Sequence, residues 1–226
     1  MLFGFLFPPE IKGESRITDN NEKEFMTDAI QVSLSGDSAE AKWGANSALS
    51  ATPAGYQIHI PGKDEKASLA TIQATARKIQ GLGVEQVSFD GQWTTEQQWA
   101  FYQGFVTAKS TQNVSWTGDD VQELEARRKT FDWTRQMTNL PPQDLYPLAL
   151  ANNAVEFLTS LAAEHISHEI IMGEDLLEAG WVGTHSVGRA SVHPPVMLVL
   201  DYNPTGDANA PIDTALIGKG ITFDSG

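Results

Sequence analysis

Lys219 and Asp224 are the two ionisable side chains of the closing string Ile217-Gly218-Lys219-Gly220-Ile221-Thr222-Phe223-Asp224-Ser225-Gly226, and they stand five residues apart. On a flat strand a spacing of five points two side chains to opposite faces, so one site can use both only if the chain bends between them. Gly218 and Gly220 make such a bend inexpensive, and they equally allow another group to approach the backbone closely. Gly-Lys-Gly invites comparison with a phosphate-binding loop. That chemistry fails, because glycine follows Lys219 where a Ser or Thr would hold magnesium, and no upstream glycine stands at the required spacing. On spacing alone, a surface lysine and a turn aspartate remain open as the plainer reading.

The chain has no cysteine, which excludes disulfides and thiolate metal sites and fits a reducing compartment. Any metal must therefore be held by carboxylates, histidine, lysine or backbone oxygens. His168-Glu169 opens like the zinc-protease helix motif, but Met172 stands where the second histidine belongs. His59 lies on an alternating stretch, His165 ends a helical one, and His185 and His193 fall in loop-rich sequence; all four read as structural. No Gly-x-Ser-x-Gly elbow is present, and no motif supplies Ser225 with a histidine.

The elements that must position these residues read as alternating strands and helices. Ile30, Val32 and Leu34 alternate with polar residues, as do Tyr56, Ile58 and Ile60, which predicts a strand-turn-strand opening. Leu69, Ile72, Ala76 and Ile79 recur at helical spacing up to Gly81 and Gly83, and an apolar strand follows from Val84 to Phe89. Thr94 and Gln97 have the spacing of a capping box, ahead of a helix carrying Trp99, Phe101, Tyr102 and Phe105 as core. A long polar helix starts near Gly118 and ends near Met137, before Pro141-Pro142. Beyond it the sequence predicts a helix from Pro147 to Ala163, a strand at 169–172, a short helix at 174–179, and strands at 196–202 and 214–217. This alternation is the mark of an α/β fold. We expect a small N-terminal α/β domain over 26–117, a connecting helix and linker over 118–142, and the start of a second α/β domain over 143–226.

Residues 1–25 have no sustained period, and Met26 reads as the start of the native chain. The apolar opening Met1 to Phe7 lacks a preceding Lys or Arg and is ended by Pro8-Pro9, unlike a secretory signal. No apolar run reaches the length of a membrane-spanning helix. A formal charge of −14 opposes binding to nucleic acid or anionic membranes, and the basic cluster Arg127-Arg128-Lys129 reads as a solvated helix face.

The string Gly218 to Gly226 resembles the metal-binding motif of the leucyl aminopeptidases. Arg135-Gln-Met-Thr-Asn139 with Pro141-Pro142 is similar to that family's entry into its catalytic domain. Gly188-Arg189, Pro194-Pro195-Val196 and Leu200-Asp201-Tyr202 are similar to the stretch preceding the motif. The run Tyr202 to Asp207 is most like the bacterial peptidase B branch, and the resemblance covers about Met26 to Gly226.

The resemblance implies a cytoplasmic metalloaminopeptidase that releases N-terminal residues from peptide substrates, with two divalent ions (Mn²⁺ or Zn²⁺, or else Mg²⁺). Lys219 would give its neutral amine to one metal, and Asp224 would bridge both. Two cations oppose protonation of that lysine, and an arginine has no lone pair to take its place. Paired metals polarise the scissile carbonyl, activate water and grip a free amino terminus. The complete protein would be a homo-oligomer, a hexamer by resemblance. The family's other ligands lie further along than this sequence runs, so the expectation is a chain truncated within its motif, inactive as it stands and with no catalytic residue of its own. The competing reading is a non-catalytic binding or regulatory module.

Overall fold

The computed structural model describes residues 29–44, 46–107 and 112–222. Residues 1–25 and the proposed start at Met26 lie outside the described residues. The chain divides into two units between Thr130 and Phe131.

In the first unit, alternation in sequence becomes a sheet with one apolar and one polar face. Strands β1 (Ile30–Ser35), β2 (Leu49–Thr52), β3 (Gly55–His59), β4 (Gln86–Asp90) and β5 (Asn113–Ser115) pair in the order β2-β3-β1-β4-β5. Register sets Val32 beside Tyr56 and Phe89, and Ile30 beside Val87, so the apolar residues form one continuous layer. Ser33 and Gln57 lie on the opposite face and hydrogen-bond at 3.4 Å. β1 pairs in parallel with β3 and β4, β4 in parallel with β5, and β2 antiparallel with β3.

This corrects the expected strand-turn-strand opening. The two alternating runs are parallel neighbours, and the connection between them contains a 3-10 turn (Ala41–Trp43) and the unforeseen strand β2. Parallel strands need a crossover where a hairpin needs only a turn, and β2 provides the return by pairing with β3.

Helices α1 (Glu65–Gly81) and α2 (Thr95–Phe105) cover the apolar layer. Asp64 caps α1 through its carboxylate, which accepts the Ala67 N–H at 2.7 Å, and Ile72, Ala76 and Ile79 are fully buried. Thr94 and Gln97 form the reciprocal capping box of α2. The buried Phe101 meets Phe89 edge to face at 5.4 Å, locking α2 onto β4. Gly104 lies where α2 crosses α1, and a Cβ there would overlap the Gln73 carbonyl oxygen.

Helix α3 (Val121–Thr138) contains the division between the units. Arg127 pairs with Glu96 at 2.8 Å and Glu123 at 2.6 Å, and Arg128 pairs with Glu125 at 2.7 Å. The Glu96 hydrogen bond is the main cause of the raised Arg127 pKa. Two of the three cations in this cluster are thus matched by carboxylates.

The second unit contains α4 (Pro147–Ala162), a 3-10 turn (Ala163–His165), β6 (Ile166–Met172), α5 (Asp175–Glu178), α6 (Val182–Gly188) and β7 (Val196–Tyr202). β6 and β7 are antiparallel, from Ile166 opposite Tyr202 to Met172 opposite Val196. Trp133 stacks on Phe157 at 4.8 Å. Between the strands, Gly173 N–H donates to the Pro195 carbonyl at 3.0 Å, and Gly188 leaves room for the Pro195 ring. The expected strand at 214–217 is absent: residues 211–222 form neither helix nor strand, and Leu216 and Ile217 are exposed. Strand propensity without a pairing neighbour leaves backbone groups to water. Among the described residues no helix is long and apolar enough to cross a membrane.

Candidate metal-binding site

Lys219 lies in this irregular segment with its side chain in solvent. One residue later the backbone passes the first turn of α4, where a Cβ on Gly220 would stand 3.2 Å from Leu150 Cδ2. At Gly218 a Cβ would meet nothing within 4 Å. Of the two uses open to these glycines, Gly220 thus serves close approach. Asp224, the other candidate ligand, lies outside the described residues.

The first turn of α4 is itself well anchored. Pro147 occupies its opening, where the missing N–H costs nothing, and Leu150 N–H donates to the Tyr146 carbonyl at 3.0 Å. The Tyr146 ring stacks on His193 with centroids 4.3 Å apart and planes 15° apart. The spacing of Tyr146, Leu150 and His193 carries no motif, and no signal in the sequence joined them to Lys219.

His59, His165, His185 and His193 have side-chain partners. His59 is buried with both ring nitrogens engaged, Nε2 with Ser50 Oγ at 2.8 Å and Nδ1 with the Asp37 carbonyl at 2.9 Å. A carbonyl can only accept, so Nδ1 carries the proton and Nε2 accepts from the serine. His185 is buried with Nε2 3.2 Å from Glu174 Oε1, and His165 lies edge-on to Tyr202 at 6.1 Å. Among the described residues no group of three or more His, Asp or Glu is placed to hold a metal ion. An amine and a carboxylate suit a borderline or hard divalent cation, but two side chains fall short of the four to six donors such ions take. Lys219 and Asp224 therefore fit as part of a ligand set and do not close one.

The catalytic-domain model of the cytosol aminopeptidase family matches residues 132–226, and a second model, described as Peptidase, matches residues 31–120. Residues 132–226 are thus similar to the catalytic domain of the cytosol aminopeptidase family. The chain is 45% identical over 205 residues to Peptidase B of Cronobacter sakazakii, covering 89% of this chain and 47% of that protein. Peptidase B of Klebsiella pneumoniae gives the same 45% identity and the same coverage. The chain spans about half the length of these curated relatives. In fold it is similar to the bottromycin maturation enzyme BotP in complex with Mn, with a TM-score of 0.56 at 18% identity, over 78% of this chain and 46% of that one. The α/β fold class expected from the alternation of elements is the one observed.

Proposed function

We propose that this chain contributes the first two ligands, Lys219 and Asp224, of a two-metal aminopeptidase centre, in a protein that removes N-terminal residues from peptides. The observation that carries the reading is the string Gly218 to Gly226, which falls inside the stretch matched to the cytosol aminopeptidase catalytic domain. Lys219 offers a lone pair when its amine is neutral, Asp224 offers carboxylate oxygens, and Gly220 lets the backbone between them lie close against α4. Bound Mn²⁺, Zn²⁺ or Mg²⁺ would supply Lewis acidity toward the scissile carbonyl and a hold on the free amino terminus. The protein works in the cytoplasm as a homohexamer, with the domain boundaries expected from the sequence and no nucleic-acid or membrane partner. By itself the 226-residue chain does not turn over substrate, because two side-chain donors cannot retain two metals.

The test compares the purified chain, in excess Mn²⁺ or Zn²⁺, with a fusion to the part of the Cronobacter sakazakii relative beyond the matched stretch. Leucine p-nitroanilide is the substrate. We expect turnover in the fusion alone, reduced about 10²- to 10³-fold or more by Asp224→Ala. Turnover by the chain alone, or an active fusion indifferent to Asp224→Ala, refutes the assignment. A second reading, a non-catalytic binding module, is favoured by the first unit's own closed core. It predicts an inactive fusion and a stably folded fragment ending near Thr130.

A further inference from the structure

Asp90 is the only aspartate of the sequence that precedes a glycine, and no asparagine does so. The pair stands where β4 ends: Asp90 is its last residue, opposite Ser33 of β1, and Gly91 turns the chain away at a φ of 80°. Both residues are exposed, and a Cβ added at Gly91 would meet nothing within 4 Å. We propose that the Asp90–Gly91 bond is a modification site, at which the folded chain closes a succinimide and reopens it as isoaspartate, the substrate of an isoaspartyl carboxyl methyltransferase.

In this reaction the Gly91 nitrogen attacks Asp90 Cγ. The new N–Cγ bond closes the imide ring, a Cγ–O bond breaks, and that oxygen leaves as water with the amide proton and one proton from solvent. Water then opens the ring. Cleavage at Cγ returns aspartate, whereas cleavage at the main-chain carbonyl of Asp90 leaves the chain running through Cγ as isoaspartate, with the original composition restored. Glycine presents no Cβ to obstruct the closing carboxyl, and the end of a strand opens locally at little cost. Other aspartates are tied down. The carboxylates of Asp64 and Asp207 accept backbone N–H groups at 2.7 and 2.9 Å, and that of Asp120 accepts the Thr95 hydroxyl. Among the described residues the Asp90 carboxylate accepts no hydrogen bond, and the Gly91 N–H donates none. The change would be felt at once nearby. Trp93 Nε1 donates to the Asp90 carbonyl at 3.1 Å, and the Trp93 ring lies 4.4 Å from that of Phe89. In isoaspartate that carbonyl becomes a free carboxylate on a branch, and the main chain gains a carbon between Phe89 and the Thr94 cap of α2. Trp93 then loses its fixed acceptor.

The experiment ages the full 226-residue chain at neutral pH in ¹⁸O-water, folded and in urea, and then cuts it with trypsin. The peptide 79–109 carries Asp90 and no other aspartate or asparagine, so it isolates the site. The folded chain should yield a second chromatographic form of this peptide, heavier by one ¹⁸O, that accepts methyl groups from S-adenosylmethionine in the presence of a recombinant isoaspartyl methyltransferase. Asp90→Glu keeps the charge but would have to close a larger ring, and both signals should be lost. The separated isomerised chain should exchange its amide hydrogens over 92–95 faster than the unaltered chain. Absence of the second form from the folded chain, whether or not urea produces it, overturns the proposal, because the fold would then protect the bond. Persistence of the signals in the Asp90→Glu chain overturns it equally. Unchanged exchange over 92–95 in the isomerised chain would overturn the predicted loss of the Trp93 tether.

Discussion

The two units of this chain spend their apolar residues differently. In the first, Val32, Ile58, Ile72, Ile79, Phe101 and Phe105 are wholly buried between one sheet and two helices. In the second, the buried apolar side chains among the described residues are Met137, Ala151 and Leu176, while Val187, Val192, Leu216 and Ile217 lie open to water. Both stretches are built from α/β sequence patterns, so pattern alone does not distinguish them. What distinguishes them is pairing: β1 has a strand on each side, whereas β7 is paired with β6 alone among the described residues. Amphipathic elements commit a stretch of chain to strands and helices; closure of the core depends on how many neighbours those elements find.

The largest expected effect is on hydrogen exchange. Amides of β1 and β4 should exchange only through global opening of their unit, while those of β7 exchange through local opening. The gap is several kcal/mol, or roughly 10³-fold or more in rate. Mass-spectrometric exchange on the full chain measures it, and equal protection of β7 and β1 would break the comparison. Next comes a matched pair of substitutions. Phe101→Ala empties a fully buried position facing Phe89 and Trp93 and should cost about 3–5 kcal/mol. Ile217→Ser, at a side chain 99% exposed, should stay within about 0.5 kcal/mol. Urea unfolding followed by tryptophan fluorescence reports the first through Trp93 and Trp116 of the Phe89 cluster, and the second through Trp133 stacked on Phe157.

Smaller effects sharpen the picture inside the first unit. Gly104→Ala drives a methyl into the Gln73 carbonyl where α2 meets α1, and should lower stability by about 1–3 kcal/mol. A neutral result would mean that the helices separate freely and that the core is less tightly closed than its burial indicates. Thr94→Ala removes the hydroxyl that accepts the Gln97 N–H at 3.2 Å and should cost about 1 kcal/mol in the same melt. Serine at that position should restore most of the loss; failure to do so would place the effect in the threonine methyl and not in the cap.

Those helices were also the most legible parts of the sequence. Leu69, Ile72, Ala76 and Ile79 announced α1 by spacing, and the last three are fully buried; Thr94 and Gln97 announced the start of α2 as the cap now seen. Helix signals are local, carried within a few residues. Sheet order is not, and neither the parallel pairing of β1 with β3 nor the existence of β2 could be read from alternation, which fixes faces and leaves partners open. The stretch 214–217 shows the same limit from the other side, having strand propensity and no strand. For the candidate site, the spacing of Lys219 and Asp224 was uninformative alone, and resemblance supplied the chemistry. The Leu150–Gly220 approach joins residues seventy positions apart and left no periodic trace.

The central place of β1 also has a consequence in time. Ile30 is made before its partner Val87, which follows some sixty residues later and at ~5–20 residues per second takes roughly 3–12 s to appear. Throughout that interval Ile30, Val32 and Leu34 belong to a strand whose β4 edge is unfilled. A nascent chain of this kind invites holdase binding before its sheet exists, so the burden it places on chaperones is set by the order in which strands are synthesised and not by the stability of the finished domain.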